Sequence, residues 1–331
     1  MNVSEQAPGV FFVEGPASNW LIVRDASGFM LIDGGYPADR DLVLESVRGL
    51  GLEPADARAM LITHGHVDHT GSAAYFSRTF GTPILCSPEE LAHVQGKEKH
   101  QVTFGQVLLR AWRPQVFRWM LHVIKAKALQ AEPATRAEAW MSEALRHLPG
   151  KPEAILLPGH TPGNVALLLP DAGAIAVGDT FVSGHPISPK SGPQMLHSMY
   201  HSDARRALTS ALSLGAVQAT VQVTAQANER ATVQVTAQAN EPATAQATPQ
   251  ATGQATEPAT AQATPQATGQ ATEPATAQAT EPATPQANEP ATAQATAQAT
   301  ERATVQVTVI LPGHGPALHM PLAQAVRALR T

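Results

Sequence analysis

Apolar and polar positions along the first part of the chain predict alternating strands and helices. Residues 9–35 predict strands separated by turns, among them a hairpin at Asp25-Ala-Ser-Gly28. Apolar residues at helical spacing predict a helix over residues 40–50. Short apolar runs predict buried strands over residues 59–63 and 83–86. This alternation favours an α/β arrangement of layers.

The same pattern returns in the second half of the chain. Residues 165–169 and 174–177 predict two strands joined by a turn, and residues 203–214 predict a helix that ends at Gly215. Near the C-terminus, alternating valines lead into a last apolar run, and a short helix is expected over residues 321–329.

Residues 100–148 differ in character, because large apolar side chains are interleaved there with Arg and Lys. They predict a helical insert, which Pro114 splits into two helices. Three interpretations of the insert remain open. Its helices pack onto the core, form a lid over an apolar substrate, or lie at a membrane surface.

Residues 219–306 repeat tetrads such as Ala-Thr-Ala-Gln and Ala-Thr-Glu-Pro, and they contain no aromatic residue, Leu or Ile. Such a stretch cannot bury enough apolar surface to offset roughly 1–2 kcal/mol of backbone entropy per ordered residue. We therefore predict a disordered, low-complexity insertion. It interrupts one domain, whose first part is residues 1–218 and whose end is residues 307–331.

Four potential metal ligands lie within one turn after the strand predicted at residues 59–63. His64, His66, Asp68 and His69 offer imidazole nitrogens and a carboxylate, which are ligand types that Zn²⁺ accepts. A solvated His-rich turn is the alternative interpretation. The density of ligands argues against it.

Four further polar residues follow apolar runs, each with a glycine beside it. They are Asp33 in Phe29-Met-Leu-Ile-Asp33-Gly-Gly35, His160 in Leu157-Pro-Gly-His160-Thr-Pro-Gly, Asp179 in Ile175-Ala-Val-Gly-Asp179, and His314 in Val309-Ile-Leu-Pro-Gly-His314-Gly. This pattern indicates strand ends that converge on one edge of a sheet, with glycine permitting the turns.

Taken in chain order, these five segments resemble the metallo-β-lactamase superfamily of hydrolases, from about residue 15 to 215 and again from 305 to the end. The resemblance implies a four-layer αββα sandwich that carries the helical insert and the low-complexity insertion. It also implies the role of each candidate residue: His64, His66 and His160 bind one metal ion, Asp68, His69 and His314 bind a second, Asp179 bridges the two, and Asp33 orients the ligand turn.

The implied cofactor is two Zn²⁺ ions per chain, with iron or manganese as possible replacements. A hydroxide that bridges the metals would be the nucleophile, because coordination lowers the pKa of water to about 7. Asp68 would orient this hydroxide and shuttle a proton, which makes it the candidate catalytic residue. We expect a hydrolase of the glyoxalase II-like branch that cleaves a thioester, lactone or related ester.

Three other functions stay open: a persulfide dioxygenase of the same fold with one iron, a nuclease of the same fold, and a non-catalytic interaction protein. The chain has a net charge of −5, and the repeat holds seven Glu and two Arg, so the rest is balanced. No basic field recruits nucleic acid, and we expect a small-molecule substrate instead. The sequence does not predict the oligomeric state.

The single cysteine, Cys86, is predicted to be a core residue and fits a reducing compartment. With no secretory signal and no membrane-spanning run, the chain is expected to be cytoplasmic. His93 has no supporting motif, and His185 and His201 are interpreted as loop histidines.

Overall fold

The computed structural model describes residues 1–224, 232–238 and 300–330. These residues belong to one compact unit, Met1–Asn240 with Gln298–Thr331. A second unit, Glu241–Ala297, lies outside the described residues.

The described residues form strands and helices with the following bounds. The strands are β1 (Asn2–Ala7), β2 (Val10–Glu14), β3 (Asn19–Asp25), β4 (Gly28–Ile32), β5 (Ala57–Leu61), β6 (Ile84–Cys86), β7 (Glu138–Ala139), β8 (Glu153–Leu156), β9 (Val165–Leu169), β10 (Ala174–Gly178), β11 (Gln218–Thr224), β12 (Thr232–Gln238), β13 (Thr300–Val305), β14 (Val309–Pro312) and β15 (Leu318–His319). The helices are α1 (Arg40–Gly49), α2 (Val67–Thr70), α3 (Ala73–Phe80), α4 (Leu91–Val94), α5 (Phe104–Leu108), α6 (Pro114–Lys125), α7 (Ser142–Leu145), α8 (Ala204–Ser213) and α9 (Leu322–Ala328).

Two sheets form the centre of the fold. The first has seven strands in the order β1-β2-β3-β4-β5-β6-β7, and the second has five in the order β15-β14-β10-β9-β8. In the first sheet β4, β5, β6 and β7 run parallel to one another. In the second sheet β10 and β14 run parallel. The carboxyl ends of parallel strands meet at one edge of a sheet, which is where the candidate residues were expected.

Alternating side chains of the second sheet separate two apolar cores. Leu167, Ala176 and Leu311 face the first sheet and share a core with it and with α1 and α3. The neighbouring Leu168 and Ile310 face the other way, against residues of α9. Because successive side chains of a strand point to opposite faces, the second sheet is covered on both sides. The order of layers is helix, sheet, sheet, helix, so the four-layer prediction is confirmed.

The sequence predicted the buried strands but missed edge strands, among them β1, β7 and β15. The strands and helices expected between residues 9 and 86 are present, and α6 begins at Pro114 as predicted. β1 was not predicted because it is half-exposed and lacks an apolar run. β8 ends in the apolar run that precedes His160. The insert is not wholly helical either, since β7 pairs with β6. Both residues of β7 are exposed and give no apolar signal.

Three strands occupy the described ends of the repeat region. They form a separate antiparallel sheet in the order β12-β11-β13. The composition of the repeat predicts disorder, but Val and Thr make up at least half of the residues in each of these three stretches, and such β-branched residues favour strands. The remainder of the predicted insertion, residues 225–231 and 239–299, lies outside the described residues.

In the part of the chain that the structure describes, every helix is too short or too polar to cross a bilayer.

Candidate metal centre

The structure brings the seven candidate ligands together at one edge of the two sheets. His64 and His66 follow β5, Asp179 follows β10, and His314 follows β14. Backbone hydrogen bonds from Val165 N to Thr63 O (3.0 Å) and from Asn19 N to Gly313 O (2.8 Å) join the sheets at this edge. The side chains form two adjacent groups: His64, His66, His160 and Asp179, and Asp68, His69 and His314.

In the first group three imidazole nitrogens face one another. His160 Nε2 lies 3.2 Å from His64 Nε2 and 3.0 Å from His66 Nδ1. Burial, reinforced by the neighbouring imidazoles, holds the pKa of His64 and the pKa of His160 well below the usual range. Both rings are therefore neutral at neutral pH, and their lone pairs are available to a cation.

The second group is richer in negative charge. Asp68 Oδ2 lies 3.3 Å from His314 Nε2. Burial opposes the protonation of His69, but nearby carboxylates, above all that of Asp33, outweigh it and raise the pKa of His69 to about 9. Burial is likewise outweighed at His314, where Asp179 and Asp68 raise the pKa well above its usual value. These carboxylates favour a positive charge within the second group, and a bound metal ion would supply such a charge.

Asp179 lies between the two groups and contacts both. Its Oδ2 is 3.5 Å from His160 Nε2 and 3.4 Å from His314 Nε2, and its Oδ1 is 3.5 Å from His69 Nε2. Asp179 Oδ1 and His69 Nε2 are buried and have no hydrogen-bond partner among the described residues. Buried polar atoms are rarely left unpaired. This donor set fits a pair of metal ions with a shared carboxylate.

In two candidate ligands, His69 and His314, the ring nitrogen that faces away from the centre is held by a hydrogen bond. Asp33 Oδ2 accepts a hydrogen bond from His69 Nδ1 (2.8 Å), and its two oxygens also accept bonds from the backbone N and the hydroxyl of Thr63 (2.8 Å each). Asp33 adopts a φ of 61°, a strained conformation for a residue other than glycine. His314 Nδ1 bonds Ala17 O at 2.6 Å. These hydrogen bonds occupy Nδ1 of His69 and of His314, so Nε2 of each ring is turned toward the candidate metal centre.

Glu90 joins the two loops that carry the first group, and sequence reasoning missed it. This fully buried carboxylate accepts hydrogen bonds from Gly65 N (2.8 Å), between His64 and His66, and from Gly163 N (2.8 Å), in the His160 loop. Burial opposes its ionisation, but hydrogen bonds from His93 and other donors lower the pKa of Glu90.

Three histidines without a sequence motif also pack against the candidate ligands. The ring centre of His93 lies 5.7 Å from that of His66, and His93 Nδ1 lies 2.7 Å from Glu90 Oε1. His201 Nδ1 lies 3.1 Å from His160 Nδ1, and the ring of His185 lies 5.1 Å from that of His314. The interpretation of His185 and His201 as ordinary loop residues therefore missed their contact with the centre. The one available signal was their position shortly after Asp179.

A cavity of about 660 Å³ opens onto the centre. His66, Asp68, His160, Asp179 and His314 line one side of it, and helix α6 supplies Trp119, Met120, Val123 and Ile124 to its wall. A substrate in this cavity would meet polar candidate ligands on one side and apolar side chains on another.

Gly313 leaves no room for a side chain beside the centre. A Cβ atom there would overlap Asp179 Oδ1 and lie 2.7 Å from His69 Cε1. We expect Gly313→Ala to displace both side chains and to weaken metal binding on the order of 10–100-fold. Competition with a chelator measures this affinity. The control is Gly49→Ala, because a Cβ at Gly49 meets nothing within 4 Å. Equal affinity in the two variants would show that the close approach is unimportant.

Cys86 is buried in the first core, as predicted, rather than in the centre. Burial, with a smaller contribution from Glu90, raises the pKa of its thiol to about 12. Since the thiolate is the reactive form, we expect labelling by a thiol reagent at pH 8 to be on the order of 1000-fold slower in the native than in the denatured chain. Rapid labelling of the folded protein would contradict the burial of this thiol.

A sequence profile of the metallo-beta-lactamase superfamily matches residues 13–225. The chain belongs to this superfamily. Of the seven candidate ligands, six lie inside the matched range, and His314 lies beyond it.

Some curated relatives with similar sequences are named as hydrolases. The chain is 24% identical over 181 residues to the probable metallo-hydrolase YflN of Bacillus subtilis, which covers 54% of this chain and 62% of the relative. It is 26% identical over 165 residues to the hydroxyacylglutathione hydrolase GloC of Haemophilus influenzae, covering 50% of this chain and 66% of that one. The chain thus spans less than two thirds of these relatives. A metallo-beta-lactamase of Cronobacter sakazakii is 20% identical with a TM-score of 0.43, covering 63% of this chain and 75% of that one.

Proposed function

We propose that the chain is a zinc-dependent hydrolase that cleaves a thioester, lactone or related ester at the candidate metal centre. The observation that carries the proposal is the position of Asp179, whose two oxygens contact histidines of both groups while Oδ1 has no hydrogen-bond partner among the described residues. A carboxylate shared in this way suits two divalent cations held close together. The name of the relative GloC supports a thioester within this substrate class.

The proposed ligands are His64, His66 and His160 for one ion and Asp68, His69 and His314 for the other, with Asp179 shared. When bound, two such ions would lower the pKa of a coordinated water and polarise the carbonyl oxygen of the substrate. Two atoms of these ligands, Asp179 Oδ1 and His69 Nε2, are buried and have no hydrogen-bond partner among the described residues.

Asp68 is proposed to hold and move the proton. Its side chain is 14% exposed, more than that of Asp179, and it lines the cavity. Burial opposes its ionisation, but His69 and His314 outweigh this and lower the pKa of Asp68, so it is a carboxylate at neutral pH. A carboxylate at the cavity wall can accept a proton from the attacking water and pass it to the leaving group.

Tyr200 is proposed to orient the substrate. It lines the cavity, and its buried hydroxyl has no hydrogen-bond partner among the described residues. Burial raises the pKa of this phenol, so it remains a hydrogen-bond donor. A carbonyl or leaving-group oxygen of the substrate would satisfy it.

The test is a panel of thioesters, lactones and phosphodiesters given to zinc-loaded protein, together with metal analysis and Asp68→Ala as the inactive control. We expect about two zinc ions per chain, hydrolysis of a member of the ester classes, and a rate on the order of 1000-fold lower in the variant. One iron per chain with oxygen uptake on a persulfide would support the dioxygenase instead. Cleavage of phosphodiesters alone would support the nuclease.

A further inference from the structure

Exposed apolar side chains are concentrated on one segment of the surface. Among the described residues, seven of the eleven exposed large apolar side chains lie between residues 108 and 129. They are Leu108, Leu109, Trp112, Phe117, Leu121, Ile124 and Leu129. Single exposed apolar residues need no explanation, whereas a cluster of this kind marks an interaction surface.

Helix α6 is apolar on two faces. Val116, Trp119 and Met120 are buried against the rest of the protein. Phe117, Leu121 and Ile124 are 46%, 50% and 45% exposed and are spaced four and three residues apart, so they form a second stripe along the helix. A surface helix of a soluble protein ordinarily carries polar residues on its outer side.

The same segment is strongly basic. Residues 99–131, which we call the basic-apolar segment, contain six Lys or Arg and no Asp or Glu, in a chain whose net charge is −5. Arg113, Arg118 and Lys125 are exposed beside the apolar stripe. The guanidinium of Arg113 lies 5.2 Å from the ring centre of Trp112, which is itself 76% exposed.

The exposed patch is continuous with the mouth of the cavity. Ile124 and Leu129 are 45% and 69% exposed, and both also line the cavity. Lys99 is exposed and lines the cavity as well. A surface that covers this patch would therefore also adjoin the entrance to the candidate metal centre.

We propose that the basic-apolar segment docks onto an anionic lipid bilayer. Apolar and aromatic side chains flanked by Lys and Arg match the boundary between acyl chains and anionic headgroups. A second copy of this chain is disfavoured as the occupant, because a symmetric interface would bring two segments of the same positive charge together. The α6 helix lies along the interface rather than across it, since it has only twelve residues.

The position of the cavity mouth extends this proposal to the substrate. An ester embedded in the bilayer would leave the lipid next to Ile124 and Leu129 and pass along the apolar cavity wall to the candidate ligands. The substrate class is thus an amphiphile with an apolar chain and an ester or thioester bond. This extension rests on the proposed function, whereas the docking surface does not.

The test of docking is cosedimentation of the full chain with vesicles. We expect binding to vesicles of phosphatidylcholine and phosphatidylglycerol in equal amounts and little binding to phosphatidylcholine alone. Each basic side chain near an anionic surface strengthens binding about fivefold, so Arg113→Gln, Arg118→Gln and Lys125→Gln together should weaken it on the order of 100-fold. The matched control replaces Arg48, Arg205 and Arg206, which are exposed elsewhere, with Gln.

The apolar contribution is tested separately with Leu109→Ser and Trp112→Ser together, which should weaken binding at least about tenfold. Met141→Ser is the control, because Met141 is 74% exposed outside the segment. Equal binding to both vesicle types, or no weakening in either set of variants, would overturn the proposal. So would heparin binding as tight as vesicle binding, or self-association that the serine variants abolish, since these identify a soluble polyanion or a second copy as the occupant.

The proposal that the substrate enters from the bilayer is tested by comparing the rates of hydrolysis of two esters. The glutamine variants should lose hydrolysis of an ester carried in anionic vesicles while retaining hydrolysis of a water-soluble ester within about twofold. Equal loss on both esters would overturn the extension. Vesicle binding without hydrolysis of either ester would instead count against the proposed function and leave the docking surface supported.

Discussion

Replacing Asp179 with Asn is expected to lower the rate of ester hydrolysis on the order of 1000-fold and to leave at most about one metal ion per chain. The physical reason is that the two carboxylate oxygens of Asp179 contact histidines of both groups. An amide keeps the size of the side chain but removes the negative charge that would hold two dications together. Metal analysis after dialysis and steady-state kinetics measure the two effects.

The control for this variant is Asp56→Asn, which removes the same charge from an exposed position at the opposite end of β5 from His64. Thermal unfolding of the metal-free proteins establishes that the Asp179 variant is folded. Two tightly bound ions and unchanged kinetics in the folded Asp179 variant would show that this carboxylate is not shared, and the proposed centre would need a different bridge.

Glu90→Gln is expected to weaken metal binding about 10–100-fold and to lower kcat by a similar factor, with KM little changed. Both carboxylate oxygens of Glu90 accept hydrogen bonds, one from Gly65 N and His93, and the other from Thr161 and Gly163 N. A glutamine has only one acceptor oxygen. Its NH₂ group would face hydrogen-bond donors that now bond to the second carboxylate oxygen. The loops that carry His64, His66 and His160 would then lose their common anchor.

Glu89→Gln is the matched control, because Glu89 lies in the same turn but is exposed. Glu90 is expected to act by positioning the loops that carry the candidate ligands. Its effect on metal binding must therefore be distinguished from its effect on the stability of the fold. If added zinc restores kcat in Glu90→Gln, the loss is one of metal affinity, as expected for a positioning residue. If the variant loses stability but keeps the wild-type metal affinity and kcat, Glu90 is only a structural anchor.

The candidate ligands could be found in the sequence because each carries a local signal. A histidine or aspartate beside a glycine at the end of an apolar run stands out whatever the fold, as at His160 and Asp179. Their convergence follows from the ends of β5, β10 and β14 meeting at one edge. Helix α1 and the central strands were predictable for a related reason, since burial imposes a periodic pattern.

Glu90 could not be found in this way. Pro88-Glu89-Glu90 resembles the acidic first turn of a helix, and the sequence does not distinguish the exposed Glu89 from the buried Glu90. The difference arises because the turn docks against the loops at Gly65 and Gly163, which are distant in the sequence. His93 and His201 were missed for the same reason, because their partners are fixed by packing.

By itself the sequence determined the alternation of strands and helices and the set of histidines and aspartates at the strand ends, because burial and loop position restrict the residue types at individual positions. The four-layer order was implied by the resemblance to the superfamily. Only the tertiary structure decided how Asp179 is placed between the two groups, which buried carboxylate joins their loops, and that α6 both walls the cavity and turns Phe117 and Leu121 outward. These properties depend on distances between residues far apart in the chain, which the order of residues alone does not specify.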